Sequence, residues 1–310
     1  MKLYIKSLET YFILICSFIT VCASAQQDPE YTQYMYNTMA VNPAYAGSTG
    51  TIEAALLYRS QWVGMPGAPE TQSFSIHSPL RNEKLGLGLS VVNDKIGPSN
   101  ELYLDGNFSY SVPLGYEKRL AFGIKAGTRM LNIDWSKGRY YDDDDVLLNQ
   151  NINNQMKLAV GAGIYYYTEK FYVGLSVPSF IQNDYYDDVR ESIDYDRMHY
   201  YLMGGYVFDL NPNLKFKPAF LVKAVSGAPI TADISANFMI QEKFVIGGAY
   251  RTDDSISILA GFQISPSFFL GYAFDYTVSE LNKYNDGSHE FILRYQFVKN
   301  QSKIKSPRFF

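Results

Sequence analysis

Few groupings of residues in this chain could carry chemistry. The densest is Asp142-Asp143-Asp144-Asp145, and a second acidic stretch holds Asp184, Asp187, Asp188, Glu191, Asp194 and Asp196. Carboxylate oxygens in such runs can bind Ca²⁺, but neither run has the glycine and distal glutamate of a helix-loop-helix calcium site. Runs of like charge are commonly solvated loops, so no metal is assigned to them. His77, His199 and His289 fall on different hairpins, with no HExxH or similar ligand spacing. The sequence has no GxSxG elbow and no phosphate-binding loop, and the Asp253-Asp254 pair sits at a turn without an evident pocket to shift its acidity. No catalytic, cofactor-binding or metal-binding residue is therefore predicted, and the chain reads as a non-enzyme.

A different charge pattern points to binding. Arg59, Arg119, Lys125, Arg129, Lys157, Lys215, Lys217, Lys223, Lys243, Arg251 and Arg294 recur on one side of an alternating pattern, against Glu53, Asp105, Asp209, Asp233, Asp275 and Glu290. If that side is enclosed, it forms a net basic interior beneath acidic loops. Such an interior would draw an anionic or acidic segment inward, with Lys125 and Arg129 as its candidate basic pair. The alternative is that these charges pair with one another, as charges removed from water usually must.

The elements that hold these residues are strands. In Leu85–Val92 the residues Leu85, Leu87, Leu89 and Val91 face one way and Gly86, Gly88, Ser90 and Val92 the other, a period of two that no helix produces. About fourteen such segments fill residues 51–298. Short connectors at 79–83, 113–117, 168–169, 211–212, 241 and 265–266 lie on one side. The long ones, at 133–154, 181–196 and 278–287, lie on the other together with two short ones, 227–228 and 253–254. The second face is rich in Gly, Ser and Asn, which suits a barrel lumen better than the water-exposed face of a soluble sandwich. No later run of apolar residues is long enough for a membrane helix, so only a closed barrel could span lipid. The fold expected is all-β, a transmembrane antiparallel up-and-down barrel of about fourteen strands.

Composition agrees with this. Of 310 residues, 47% are hydrophobic and 16% aromatic, with 27 Tyr and 20 Phe but 2 Trp, a balance typical of strands and membrane interfaces. A formal charge of −4 argues against a nucleic-acid partner, which needs a basic face. Residues 1–25 read as a signal peptide: Lys2 and Lys6, the apolar run Tyr11–Val21, then Ala23-Ser24-Ala25. Its removal would take both cysteines, Cys16 and Cys22, and leave a charge of −5. The expected destination is the outer membrane, with its lipid as one partner. An even strand count puts both barrel ends on one side, so residues 26–50 are expected in the periplasm or folded into the lumen as a plug. The tail 299–310 is expected in the periplasm. Tyr31, Tyr34, Tyr36, Pro43 and Tyr45 suggest that the N-terminal segment packs rather than hangs free.

A family resemblance adds to this reading. Gln33-Tyr34-Met35, Val41-Asn42-Pro43-Ala44-Tyr45-Ala46-Gly47, Tyr58-Arg59-Ser60-Gln61-Trp62-Val63-Gly64, Gly67-Ala68-Pro69 and His77-Ser78-Pro79-Leu80 resemble the PorP/SprF family. The likeness continues through Asn93-Asp94-Lys95-Ile96-Gly97-Pro98 to Gly287-Ser288-His289-Glu290 and so covers the mature chain. It implies an outer-membrane β-barrel of the type IX secretion system, tied to gliding motility and to secretion or surface attachment of adhesin-type proteins. The partners it implies are a secreted surface protein with a C-terminal secretion signal and periplasmic peptidoglycan-linked or secretion components. Tyr34, Asn42, Pro43, Tyr45, Arg59, Gln61, Trp62 and His77 are the candidate contacts with a plug or partner, the last four expected together at the first hairpin; the alternative is structural support, with Trp62 in the outer aromatic girdle or in a loop packed over the barrel mouth. A channel or transporter for small or hydrophobic solutes is the competing role.

Overall fold

The computed structural model describes residues 29–137, 151–181, 198–225 and 228–297. The proposed signal peptide, the tail 299–310 and both acidic runs, 142–145 and 184–196, lie outside them. The described strands are β1 (Glu53–Ser60), β2 (Glu70–Pro79), β3 (Leu85–Ile96), β4 (Ser99–Pro113), β5 (Arg119–Ile133), β6 (Ile152–Tyr167), β7 (Phe171–Val177), β8 (His199–Tyr206), β9 (Phe208–Asn211), β10 (Leu214–Val225), β11 (Thr231–Ile240), β12 (Phe244–Arg251), β13 (Ser255–Gln263), β14 (Phe268–Thr277) and β15 (Ser288–Gln296). Each pairs antiparallel with its chain neighbour, and β1 also pairs with β15, so the sheet closes on itself. Both β8 and β9 pair with β10 as two pieces of one stave, which makes a closed barrel of fourteen staves.

The period-two pattern becomes two chemically distinct surfaces. On β4, Leu104, Phe108 and Tyr110 point outward and are exposed, while Tyr103, Asp105, Asn107, Ser109 and Ser111 are buried inside. On β13, Ile256 and Ile258 face out and Ser255, Ser257 and Leu259 face in. Exposed Leu, Ile, Phe and Tyr continue around the outside, far beyond the isolated apolar patches of a water-soluble surface. The last strand follows suit: Phe291 and Leu293 are exposed, and the hydroxyl of Tyr272 is 2.8 Å from His289 Nδ1 on the same wall. No helix among the described residues is long and apolar enough to cross a membrane.

Two boundaries differ from the sequence reading for local reasons. Strand β3 continues past the Leu85–Val92 segment to Ile96, because Gly97, at φ 54°, and Pro98 form a two-residue turn that sets Ser99 opposite Ile96. Positive φ is the conformation glycine adopts without a Cβ penalty. Strand β7 stops at Val177, just before Pro178, which has no N–H to give a ladder. Strands β4, β5 and β6 reach 15, 15 and 16 residues, more than the 9–11 or so that cross hydrocarbon. This part of the wall therefore rises past the bilayer at the long-loop end, where Leu131 and Ile133 pack with Trp135 and Ile152.

Arginine at Ile258, midway along the lipid face of β13, should destabilise the barrel by about 2–4 kcal/mol in unfolding measurements from lipid. Neutral behaviour of Ile258→Arg would contradict the outward assignment.

Candidate functional site

The lumen is occupied by the chain's own N-terminal segment. From Glu30 it winds through a 3₁₀ turn (Tyr34–Tyr36), one α-helical turn (Thr38–Val41) and a second 3₁₀ turn (Pro43–Tyr45) before entering β1. Almost every residue from Tyr31 to Thr49 is buried. Asn42 organises the second bend: its Oδ1 accepts a hydrogen bond from the Ala44 N–H at 3.0 Å, and Pro43 occupies the first helical position, where its fixed φ and missing N–H are harmless.

The segment crosses the barrel from end to end. Glu30 lies at the long-loop end, where its carboxylate meets Lys223 and, at 3.1 Å, Arg251, both near the loop ends of β10 and β12. Gly47 lies at the short-turn end, where its N–H donates to His77 Nδ1 at 3.3 Å. A Cβ on Gly47 would come within 2.8 Å of Gly86 Cα, and its φ of 73° independently requires glycine.

Between these ends two zones of contact differ in kind. The first is ionic. Arg59 Nη1 lies 2.7 Å from Asp275 Oδ2 and 3.2 Å from Glu290 Oε2, and it donates to the Thr32 hydroxyl at 2.8 Å. That hydroxyl donates in turn to Asp275 at 2.7 Å, and Glu290 accepts the backbone N–H groups of Thr32 (2.9 Å) and Gln33 (2.7 Å). Arg59 is 1% exposed and Glu290 0%, so these bonds replace water for both charges. Further along, Asn37 donates to Ser73 and accepts from Ser75, both at 3.2 Å.

The second zone is steric. A Cβ at Gly123 would sit 2.2 Å from the Ala44 nitrogen, one at Gly163 2.2 Å from Asn42 Oδ1, and one at Gly86 2.2 Å from the Ala46 carbonyl oxygen. The wall glycines of β3 and β5 are thus notches into which the plug backbone settles, and that of β6 receives the Asn42 side chain. Ser109 donates to the Ala46 carbonyl (2.6 Å), Ser176 to that of Val41 (2.8 Å), and Asn42 Nδ2 to that of Ile164 (3.1 Å). Tyr45 packs edge-on against both His77 and Tyr165.

Above the plug, at the long-loop end, is a vestibule of about 70 Å³ whose lining includes Tyr31, Tyr103, Tyr201, Asp105, Lys125 and Arg129 on one side and Glu30, Lys223, Asp233 and Arg251 on the other. Lys125 and Arg129 both pair with Asp105, at 3.1 and 2.9 Å, and the Arg129 guanidinium lies 4.2 Å from the Tyr103 ring centre. Asp233 accepts from Arg251 at 2.7 Å.

The structure separates the candidate residues. Tyr34, Asn42, Pro43 and Tyr45 are buried plug residues, and Arg59 and His77 are wall residues that contact the plug at different levels. Gln61 and Trp62 are elsewhere, in the β1–β2 loop at the long-loop rim. There Gln61 N–H donates to the Pro69 carbonyl at 2.9 Å, Trp62 N–H to Ser288 Oγ at 3.1 Å and Val63 N–H to the Gly287 carbonyl at 2.8 Å, while the Val63 carbonyl accepts from the Asp286 N–H at 2.8 Å. The expected cluster of Arg59, Gln61, Trp62 and His77 is not formed. Antiparallel pairing sets His77 opposite Glu53, at the short-turn end, and Arg59 opposite Thr71. Asp209 and Lys243, expected inside, are exposed beyond the short-turn rim, with Asp209 2.7 Å from Lys170. The interior is also less polar than expected: Leu57, Met203, Leu221, Met239, Leu259 and Ile292 join Tyr31, Tyr34, Met35 and Tyr36 in one apolar cluster. Sequence reasoning missed Glu30, Thr32, Gln33 and Asn37 as contacts. Glu30 had one available signal, as the acid next to the tyrosine-rich stretch.

A family model described as type IX secretion system membrane protein PorP/SprF matches residues 23–295. Among solved structures, the chain is similar to the toluene transporter TbuX of Ralstonia pickettii, with a TM-score of 0.51 at 9% identity, covering 84% of this chain and 93% of that one. It is also similar to the CymD monoaromatic hydrocarbon channel, with a TM-score of 0.50 at 10% identity, covering 86% and 94%. At such identities the likeness is one of fold. No curated protein sequence matches the chain.

Two substitutions test the two zones. Arg59→Met should weaken plug seating by about 3–5 kcal/mol, because Glu290 and Asp275 are left buried and unpaired. Adding Glu290→Gln and Asp275→Asn should restore much of the loss, read as hydrogen-exchange protection of residues 31–37. Gly123→Val should expose the amides of residues 42–47 without opening residues 31–37. Equal effects of both changes on both halves would contradict the division.

Proposed function

Because the chain belongs to the PorP/SprF family of type IX secretion system membrane proteins, we propose that it holds or hands on the C-terminal signal region of a secreted, adhesin-type surface protein in support of gliding-associated secretion. The signal peptide directs the chain to export, and the barrel sits in the outer membrane with its long loops outside and its short turns in the periplasm. That orientation follows the general asymmetry of such barrels. Periplasmic partners, peptidoglycan-linked or belonging to the secretion machinery, meet the short-turn rim; the secreted protein meets the long-loop rim.

The filled lumen carries this reading. A barrel of fourteen staves leaves room for a pore, and a diffusion channel would keep that room open. Here the chain spends about twenty residues, Glu30 to Gly50, closing it from one end to the other. The resting barrel therefore offers its rims and vestibule, rather than an open pore, as working surfaces. Extended strands and loops of this kind recognise partners by strand pairing and side-chain pockets.

Cells lacking the protein should lose one class of adhesin from their surface while retaining other outer-membrane proteins, as read by surface labelling. Purified from the membrane, the protein should bring a secreted protein or a periplasmic lipoprotein with it and show little conductance in planar bilayers. Normal surface display combined with a large steady conductance would favour the solute-channel role instead.

A further inference from the structure

The plug's two halves are held by different physics, and the wall differs behind each. Asn42–Gly47 rests in glycine notches where backbone meets backbone, so it cannot shift without moving strands. Glu30–Asn37 is held by the Glu30 ion pairs and by hydrogen bonds to wall side chains, which water or another polar group can replace, together with Tyr and Met surfaces packed on apolar wall residues. Where this first half meets the wall lie buried side-chain polar atoms with no hydrogen-bond partner among the described residues: the hydroxyls of Tyr36, on the segment itself, and of Tyr172 on β7, and both amide atoms of Asn237 on β11. All three residues are at least nine-tenths buried. Groups of this kind are rarely left unmatched in a permanently closed interior.

The same wall is basic. Lys217 is the register partner of Asn237, and its Nζ lies 5.9 Å from the Tyr36 ring centre and 5.6 Å from that of Tyr172. Arg294 lies 5.5 Å from the Tyr36 ring centre. Toward the long-loop end the row continues with Lys223 and Arg251, and Glu30 supplies a carboxylate to both.

We propose that Glu30–Asn37 is a latch that leaves the lumen toward the long-loop face, while Asn42–Gly47 stays fixed, and that its departure opens a basic conduit along β7–β12 for an anionic solute or acidic polypeptide segment. The direction follows from connectivity. The fixed half ties the latch to β1 at the short-turn end, and Glu30, at the latch's other end, is already beside the long loops. The carboxylate of Glu30 occupies the place an incoming anion would take between Lys223 and Arg251. When it departs, it removes an acid from the lumen and leaves the basic row without it. The inference concerns the barrel by itself and stands apart from the secretion role.

The test uses the purified full chain in planar bilayers under a KCl gradient, with heat-modifiable gel migration reporting that each variant is folded. Glu30→Lys, which sets a cation against Lys223 and Arg251, should raise the frequency of channel opening at least about tenfold over the parent, the effect of a shift of about 1.4 kcal/mol in the latch equilibrium. Deletion of residues 29–37 should give a steady, chloride-selective conductance, and Lys217→Gln with Arg294→Gln in that background should reduce the selectivity. A folded deletion variant that stays silent, or one that selects potassium, overturns the conduit; a Glu30→Lys variant indistinguishable from the parent overturns the latch. For direction, Met35→Cys, buried in the closed barrel, should react with a membrane-impermeant maleimide on intact cells above the background of the parent protein. Reaction only after the outer membrane is permeabilised would overturn release toward the long-loop face.

Discussion

Hydrocarbon offers no hydrogen bonds, so a strand that crosses it must find all its backbone partners in other strands. The rest of the structure follows from that constraint. Pairing of β1 with β15 removes the last two free edges, and once the sheet is a ring each strand has one face in lipid and one in the lumen. The outward Leu, Ile and Phe satisfy the first face. The second encloses more volume than wall side chains fill at this strand number. The lumen must then be wet, or filled by another part of the chain, and here residues 30–50 fill it.

Filling a barrel with backbone raises a problem that an apolar core does not have, because the inserted segment brings its own N–H and C=O groups. Short helical turns satisfy some internally, and Glu290, Ser109, Ser176 and Asn42 answer others from known positions. Arg59 then has to offset the charge of Glu290. Removing either partner strands the other, since the desolvation of a buried ion exceeds what a lone neighbour returns. The wall glycines solve the complementary problem of space. At Gly86 and Gly123 the missing side chain is what lets the plug backbone approach, and at Gly163 it makes room for the Asn42 side chain.

The fold was legible in the sequence because lipid enforces a strict period of two. Leu104, Phe108 and Tyr110 could not alternate with Asp105, Asn107 and Ser109 for any other economical reason, and the strand positions follow with small errors at Gly97 and Pro178. The plug was half legible: Tyr31, Tyr34, Tyr36 and Tyr45 signal packing, but an aromatic stretch between two landmarks, residues 26–50, does not say which wall it meets. Register was the obscure part. His77 and Trp62 look adjacent in the hairpin's sequence, yet antiparallel pairing sends them to opposite ends. Similarly, the sequence leaves open whether Lys125 and Arg129 act as a basic pair or are neutralised by the wall, and the structure puts Asp105 against both. The apolar residues inside, such as Leu57 and Ile292, occupy lumen positions in the alternation, and the need for them becomes visible only with the plug's tyrosines and methionines in place.

The interior charge has a different meaning from the one its count suggests. Eleven basic residues against six acidic ones describe a field only if the charges act independently, and most do not. Arg59 is matched by Asp275 and Glu290, Lys125 and Arg129 by Asp105, and Lys215 by Glu242, while Lys243 lies outside the lumen. What survives pairing is local. Around Lys223 and Arg251 the matching acids are Asp233 of β11, Asp254 of the β12–β13 turn and Glu30 of the plug, and the last of these belongs to a segment whose polar contacts are replaceable. The barrel's electrostatic character at that point is therefore set by the position of its own N-terminal segment rather than by the composition of its wall.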